Sequence, residues 1–174
     1  LSSYPRTYYT FGIEPRVSHV FDLGPSTQEV SVGYRYLKEG MHEEASSLNL
    51  VNNVPTPGGQ SDGHVYQDRT GGTEANAFYI DNKIDIGKWT ITPGIRFEDI
   101  RTEWHDRPVV ALNGKRTEEK RREVHNNEPL PALSVMYHVS DAWKLFANYE
   151  TSFGSLQYFQ LGQGGTGDQT AHGL

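Results

Sequence analysis

Seven histidines (His19, His42, His64, His105, His125, His138 and His172) and 22 acidic side chains are the groups that could hold a metal ion or move a proton here. Protein metal sites are built from several such ligands at short, fixed spacings. No two of these histidines stand at a helical i, i+4 interval or as a short ligand pair. Serines and acids accompany them without a spacing that unites a nucleophile with a base, and no glycine-rich phosphate loop follows a strand-like run. No catalytic residue, resident metal or cofactor is expected. Cysteine is absent, which excludes disulfides, thiolate metal sites and a thiol nucleophile.

What remains is charge. The segment NGKRTEEKRREVHNNE carries Lys115, Arg116, Lys120, Arg121 and Arg122 among four glutamates. Such a cluster could draw anions or bridge lipopolysaccharide phosphates, but its signs nearly cancel, and it reads first as a solvated loop. Elsewhere Glu14, Arg16, Glu29, Arg35, Asp81, Lys83, Asp85, Arg96 and Glu98 come in both signs, suited to pairing between neighbouring strands. The formal net charge of -6 argues against nucleic acid as a partner.

The elements that must position these groups follow from alternation. Between Tyr9 and Leu23 the odd positions are mostly apolar or aromatic and the even ones mostly polar, a period of two that specifies a strand. Gly24-Pro25-Ser26-Thr27 signals a reversal, after which Val30, Val32, Tyr34 and Tyr36 alternate with Glu29, Ser31, Gly33 and Arg35. The same layout returns around Gly87-Lys88 and around Ser140-Asp141-Ala142. The hairpins predicted are about 7–44, 74–104 and 129–153, separated by long polar connections at about 45–73, 105–128 and 154–174. Short turns on one side and long loops on the other are the layout of a bacterial outer-membrane barrel. Compact soluble domains rarely use such loops.

Aromatics at strand ends (Tyr8, Tyr9, Phe21, Tyr36, Trp89, Trp104, Tyr137, Trp143, Phe153) suit the interfacial girdles of a barrel. A soluble β-sandwich also alternates, but the strands exceed its usual length of about 5–6 residues. Pro15 and Pro93 interrupt the apolar parity and should each produce a bulge or kink. The fold class expected is all-β: a transmembrane antiparallel barrel wall of about six strands. Both ends of the chain read as cuts in a longer protein.

The segments YTFGIEPRVSHVFDLGPSTQEVSVGYRYL, GTEANAFYIDNKIDIGKWTITPGIRFE and PLPALSVMYHVSDAWKLFANYETSFG resemble the barrel of TonB-dependent outer-membrane transporters, and among them the transporters of ferric citrate. The resemblance implies a plugged barrel of about 22 strands, set in the outer membrane of a Gram-negative bacterium. It implies contact with outer-membrane lipid and lipopolysaccharide, and coupling to the TonB complex through a plug that these residues do not contain. It implies import of an anionic ferric chelate, most simply ferric dicitrate or a related ferric siderophore, with iron arriving as cargo. A soluble β-rich binding module and a passive porin are the rival classes.

Ligand residues also follow from the resemblance. The family places an arginine just before GIEPR, and PRTYYTFGIEPR puts Arg6 there. A second family arginine falls shortly before GTEA. In VYQDRTGGTEA that position corresponds to Arg69, or to Gln67 if no gap is allowed. Arginine suits the task because its planar fork grips carboxylates bidentately and stays charged.

Overall fold

The computed structural model describes residues 2–48, 50–51, 54–55, 64–111 and 114–162. In chain order the elements are β1 (Ser2–Ser3), β2 (Arg6–Ile13), β3 (Arg16–Leu23), β4 (Ser26–Ser47), β5 (Leu50–Val51), β6 (Val54–Pro55), β7 (His64–Ile86), β8 (Trp89–Arg107), β9 (Lys120–His138), β10 (Lys144–Glu150) and α1 (Tyr158–Gly162). Apart from the small β5–β6 hairpin, the described strands form one antiparallel sheet, ordered β4-β7-β8-β9-β10, with β1, β2 and β3 end to end along the free edge of β4. No second sheet packs on it among the described residues, and its long neighbouring strands have the layout expected of a barrel wall.

The tight turns fall where glycine was expected to place them. Gly24 and Gly87 adopt φ of 59° and 57°, the left-handed region that two-residue hairpin turns require and that glycine enters without steric cost. Each links strands paired from their first residues, Leu23 to Ser26 and Ile86 to Trp89.

The prolines do not bulge the sheet. β2 and β3 keep a single register on β4, with Ile13 opposite Tyr36 and Arg16 opposite Gly33. Proline removes only its own donor, and the Pro15 carbonyl still accepts from the Tyr34 N–H at 3.1 Å. At Pro93 the β7–β8 ladder lapses between Asp81↔Gly94 and Ile84↔Ile91, then resumes unshifted. The register shift lies instead on β7 near Tyr66, opposite Ala45/Ser46.

The long connections are shorter than the sequence suggested. β4, β7, β8 and β9 run for 22, 23, 19 and 19 residues, roughly twice the 9–11 that a tilted strand needs to cross hydrocarbon. The connection expected over 45–73 shrinks to the interval between Ser47 and His64, and that over 105–128 to the interval between Arg107 and Lys120. The one expected from 154 opens with α1, and its remainder lies outside the described residues.

The reason is an inversion of parity along each strand. On β8, Trp89, Ile91, Ile95 and Phe97 point to one face; beyond Phe97 that face carries Asp99, Arg101, Glu103 and His105, while the opposite face gains Ile100 and Trp104. The lower outward face is an exposed apolar band that includes Val17, Val32, Phe78, Ile80, Phe97 and Leu133, fit to meet lipid. Its upper part is charged, with Arg101 on Glu123 at 3.0 Å and His125 on Asp99 at 2.7 Å. The wall therefore extends well beyond its apolar band into a charged outer part.

Candidate functional site

Above the apolar band the inward face carries a row of alternating charge. Register alone sets Arg6 opposite Glu43, Glu43 opposite Arg69, Arg69 opposite Asp106 and Asp106 opposite Lys120, across β2, β4, β7, β8 and β9. Opposite charges facing each other across a ladder are mutually stabilising. Arg6 joins Glu43 through Nε, and Arg69 donates Nε to Asp106 Oδ1 at 2.9 Å while Nη1 stands 3.8 Å from Glu43 Oε1. Gln67, two residues from Arg69 on the same face, donates Nε2 to Glu43 Oε1 at 2.7 Å.

The three residues assigned to ligand binding thus converge on one carboxylate that sequence reasoning did not single out. Glu43 is only 6% exposed, and a buried carboxylate is tolerable only when paired and hydrogen-bonded. Its hydrogen bond and its charge raise the pKa of Arg6 above the ordinary arginine value, fixing the guanidinium as a cation.

Aromatic and apolar groups complete the surroundings. Trp104 lies under Arg69, whose guanidinium carbon is 5.9 Å from the ring centroid, and donates Nε1 to Asp106 at 3.1 Å. α1 packs on this face: Leu161 is buried against Met41 and Trp104, flanked by Tyr158 and Leu156. Gly71 makes the approach possible, since a Cβ there would lie 2.8 Å from the Tyr158 ring and 2.9 Å from that of Trp104. Arg122 donates to the carbonyls of Leu161 and Gly162, closing the C-terminal end of the helix.

Between α1 and the sheet is a cavity of about 410 Å³ lined by Arg6, Tyr8, Met41, Glu43, Arg69, Trp104, Tyr158, Phe159 and Gly162. A neighbouring cleft of about 340 Å³ shares Arg69 and includes Gln67, Asp106 and Lys120. Both volumes lie in the range of small-molecule sites. Tyr8 and Trp104, expected in an interfacial girdle, line the first cavity instead, because both fall on the inward parity. Trp89 and Tyr137 do pack together on the outward face at the turn end of the wall, with ring centroids 4.6 Å apart and planes tilted by 46°.

Among the charges assigned to the interior, Arg16 meets Asp81 at 3.6 Å and Arg35 meets Glu14 at 3.9 Å, whereas Arg96 meets Glu98 at 2.7 Å and Lys83 meets Asp85 at 3.1 Å along their own strands and not across the ladder as the sequence suggested. In the basic segment, Arg121 and His105 both contact Glu119, and Lys120, Arg121 and Arg122 belong to β9 and not to a loop. His42, Glu44 and Asp68 come together on the outward face, a cluster invisible in sequence because its members lie on two strands. His42 Nε2 is 2.8 Å from Asp68 Oδ1 and Arg107 stands 3.4 Å from Oδ2, so the Arg107 cation already neighbours Asp68.

Comparison with known proteins places the whole wall. Residues 1–173 match the family described as TonB dependent receptor-like, beta-barrel. The ferric citrate transporter FecA, solved in its unliganded form, is 45% identical over 93% of this chain and 23% of its own, with a TM-score of 0.75. The ferric-catecholate import receptor Fiu from E. coli K12, in its open form, is 17% identical over 83% of this chain and 25% of its own, with a TM-score of 0.64. The ferric yersiniabactin uptake receptor FyuA from Yersinia pestis is 17% identical over 84% and 21%, with a TM-score of 0.56. At that identity the latter two speak for the fold alone. The chain spans about a quarter of the length of these solved relatives.

Proposed function

The chain belongs to the TonB-dependent receptor-like β-barrel family, and on that premise we propose that it forms part of a Gram-negative outer-membrane receptor importing an anionic ferric chelate, ferric dicitrate in the first place. The observation that carries this reading is that Arg6 and Arg69 line one inward cavity beside Trp104 and Tyr158, with Gln67 bonded to the Glu43 carboxylate between them. The carboxylates of a citrate chelate are acceptors for guanidinium N–H groups, which are strongest as charge-assisted, forked donors. The aromatic rings exclude water on the other side, which strengthens those bonds. The likeness to a transporter of ferric citrate supports citrate over other chelates.

The division of labour follows. The wall residues bind and orient cargo, and no bond in the ligand is made or broken, so no enzymatic role is assigned. Iron enters as cargo, already chelated. Transport energy would come from the TonB complex through a plug domain, and the apolar band would sit in lipid beneath lipopolysaccharide. Binding of ferric dicitrate to the intact receptor tests the assignment. Arg6→Ala and Arg69→Ala should each weaken it at least tenfold, and Arg6→Lys should recover only part of the loss. Wild-type affinity in both alanine variants would sink it. A second reading, uptake of another ferric siderophore, predicts that ferric dicitrate fails to compete with the true ligand.

A further inference from the structure

We propose that Glu43 is the specificity-determining residue of this cavity: a built-in carboxylate that holds the anion position between Arg6 and Arg69 and yields it only to a ligand offering several negative groups. The inference rests on the binding reading given above and deepens it. Glu43 lies directly across the ladder from both arginines. It contacts both guanidinium groups and accepts from Gln67, and it is buried while both arginines remain partly exposed.

The consequences follow from electrostatics. Strands are spaced about 4.8 Å apart, so two arginines flanking one strand have backbones only about 10 Å apart and would repel. Glu43 cancels that repulsion and keeps the two cations in place before any ligand arrives. A ligand with one carboxylate can engage one arginine only by leaving Glu43 half-paired in a buried position, which is costly. A ligand with two or more carboxylates engages free N–H groups of both arginines at once, so two charge-assisted contacts offset the cost of loosening Glu43, while Gln67 continues to hold it. The cavity thereby discriminates by charge number, rejecting abundant monocarboxylates.

The test uses the intact receptor, ferric dicitrate as ligand and acetate as competitor. Glu43→Gln keeps the shape and the acceptor oxygen but removes the charge. It is expected to bind ferric dicitrate about tenfold more tightly, and to lose that binding to acetate at least tenfold below the concentration needed with the wild type. Unchanged or weaker affinity together with wild-type tolerance of acetate overturns the proposal. Glu43→Asp draws the carboxylate back from both arginines and should fall between the two. Should Glu43→Gln fail to assemble, Glu43→Asp decides alone, and wild-type behaviour in both measurements overturns the proposal. Arg6→Ala and Arg69→Ala separate the two ideas. If both bind normally, the cavity is not the binding site; if they weaken binding while the Glu43 variants change nothing, only the role of Glu43 fails.

Discussion

Arg69 and Asp106 face each other across the β7–β8 ladder and share a 2.9 Å hydrogen bond from Nε to Oδ1, with Trp104 donating to the same oxygen. The pair is not deeply buried, its side chains being 37% and 23% exposed. Its worth therefore lies in aiming Arg69 into the cavity and not in holding the sheet together. A double-mutant cycle of Arg69→Ala and Asp106→Ala on unfolding stability should return a coupling below about 1 kcal/mol. A coupling several times larger would mean that the ion row is structural cement.

α1 depends on one side chain. Leu161 is 1% exposed, wedged between Met41 and Trp104, and the helix, spanning Tyr158–Gly162, is too short to persist without such packing. Leu161→Ala removes a buried isobutyl group at a cost of about 2–5 kcal/mol, enough to release α1 while the strands stay paired. Gly71→Ala should act from the other side, by pushing on the Tyr158 and Trp104 rings. Hydrogen exchange would show faster exchange confined to the segment around α1; unaltered protection in both variants would contradict this account.

How much of this was legible beforehand depends on which half of a strand one reads. In the membrane half a single apolar parity is kept, so Trp89 through Phe97 announced a strand, its face and its turn at Gly87. In the outer half the apolar residues change sides. Ile100 and Trp104 turn inward, where α1 and the cavity lie, and Asp99, Arg101 and Glu103 turn to water. A reader following one parity sees the pattern dissolve and writes a loop. Arg6, Gln67 and Arg69 become candidates only through likeness to a family. Glu43, 37 residues from Arg6 in the chain, could be found only once the ladder register was known, because nothing local marks it.

Acid should loosen the outer end of β9 before the membrane half. Glu119 accepts from Arg121 at 3.0 Å and from His105 at 2.8 Å, and these partners lower its pKa, the Arg121 hydrogen bond most. A carboxylate with a depressed folded-state pKa contributes stability that is present above its unfolded value of about 4.3 and is lost as pH falls through the folded value. The Glu119 side chain is about half exposed, so the effect is local. Limited proteolysis at the β8–β9 connection should stay constant from pH 7 to about pH 5 and rise below about pH 4. Glu119→Gln should flatten that rise, and a rise of equal size in the variant would assign the effect to other acids.

The switch from lipid-facing to water-facing wall makes a depth-dependent prediction on the outward face. Ile80 sits opposite Ile95 within the apolar band, whereas Glu103 lies on the same outward parity beyond Phe97. An arginine at the hydrocarbon midplane of a barrel costs about 2–4 kcal/mol, and near the interface about 0–1 kcal/mol. Ile80→Arg should therefore destabilise the intact barrel in lipid bilayers by about 2–4 kcal/mol, and Glu103→Arg by less than about 1 kcal/mol. Equilibrium unfolding from bilayers measures both. Equal costs at the two positions would mean that the membrane boundary does not fall at Phe97, and that the outer halves of β7 and β8 are themselves immersed. The cavity around Arg6 and Arg69 would then lie at hydrocarbon depth, where its ion row would have to be satisfied without water.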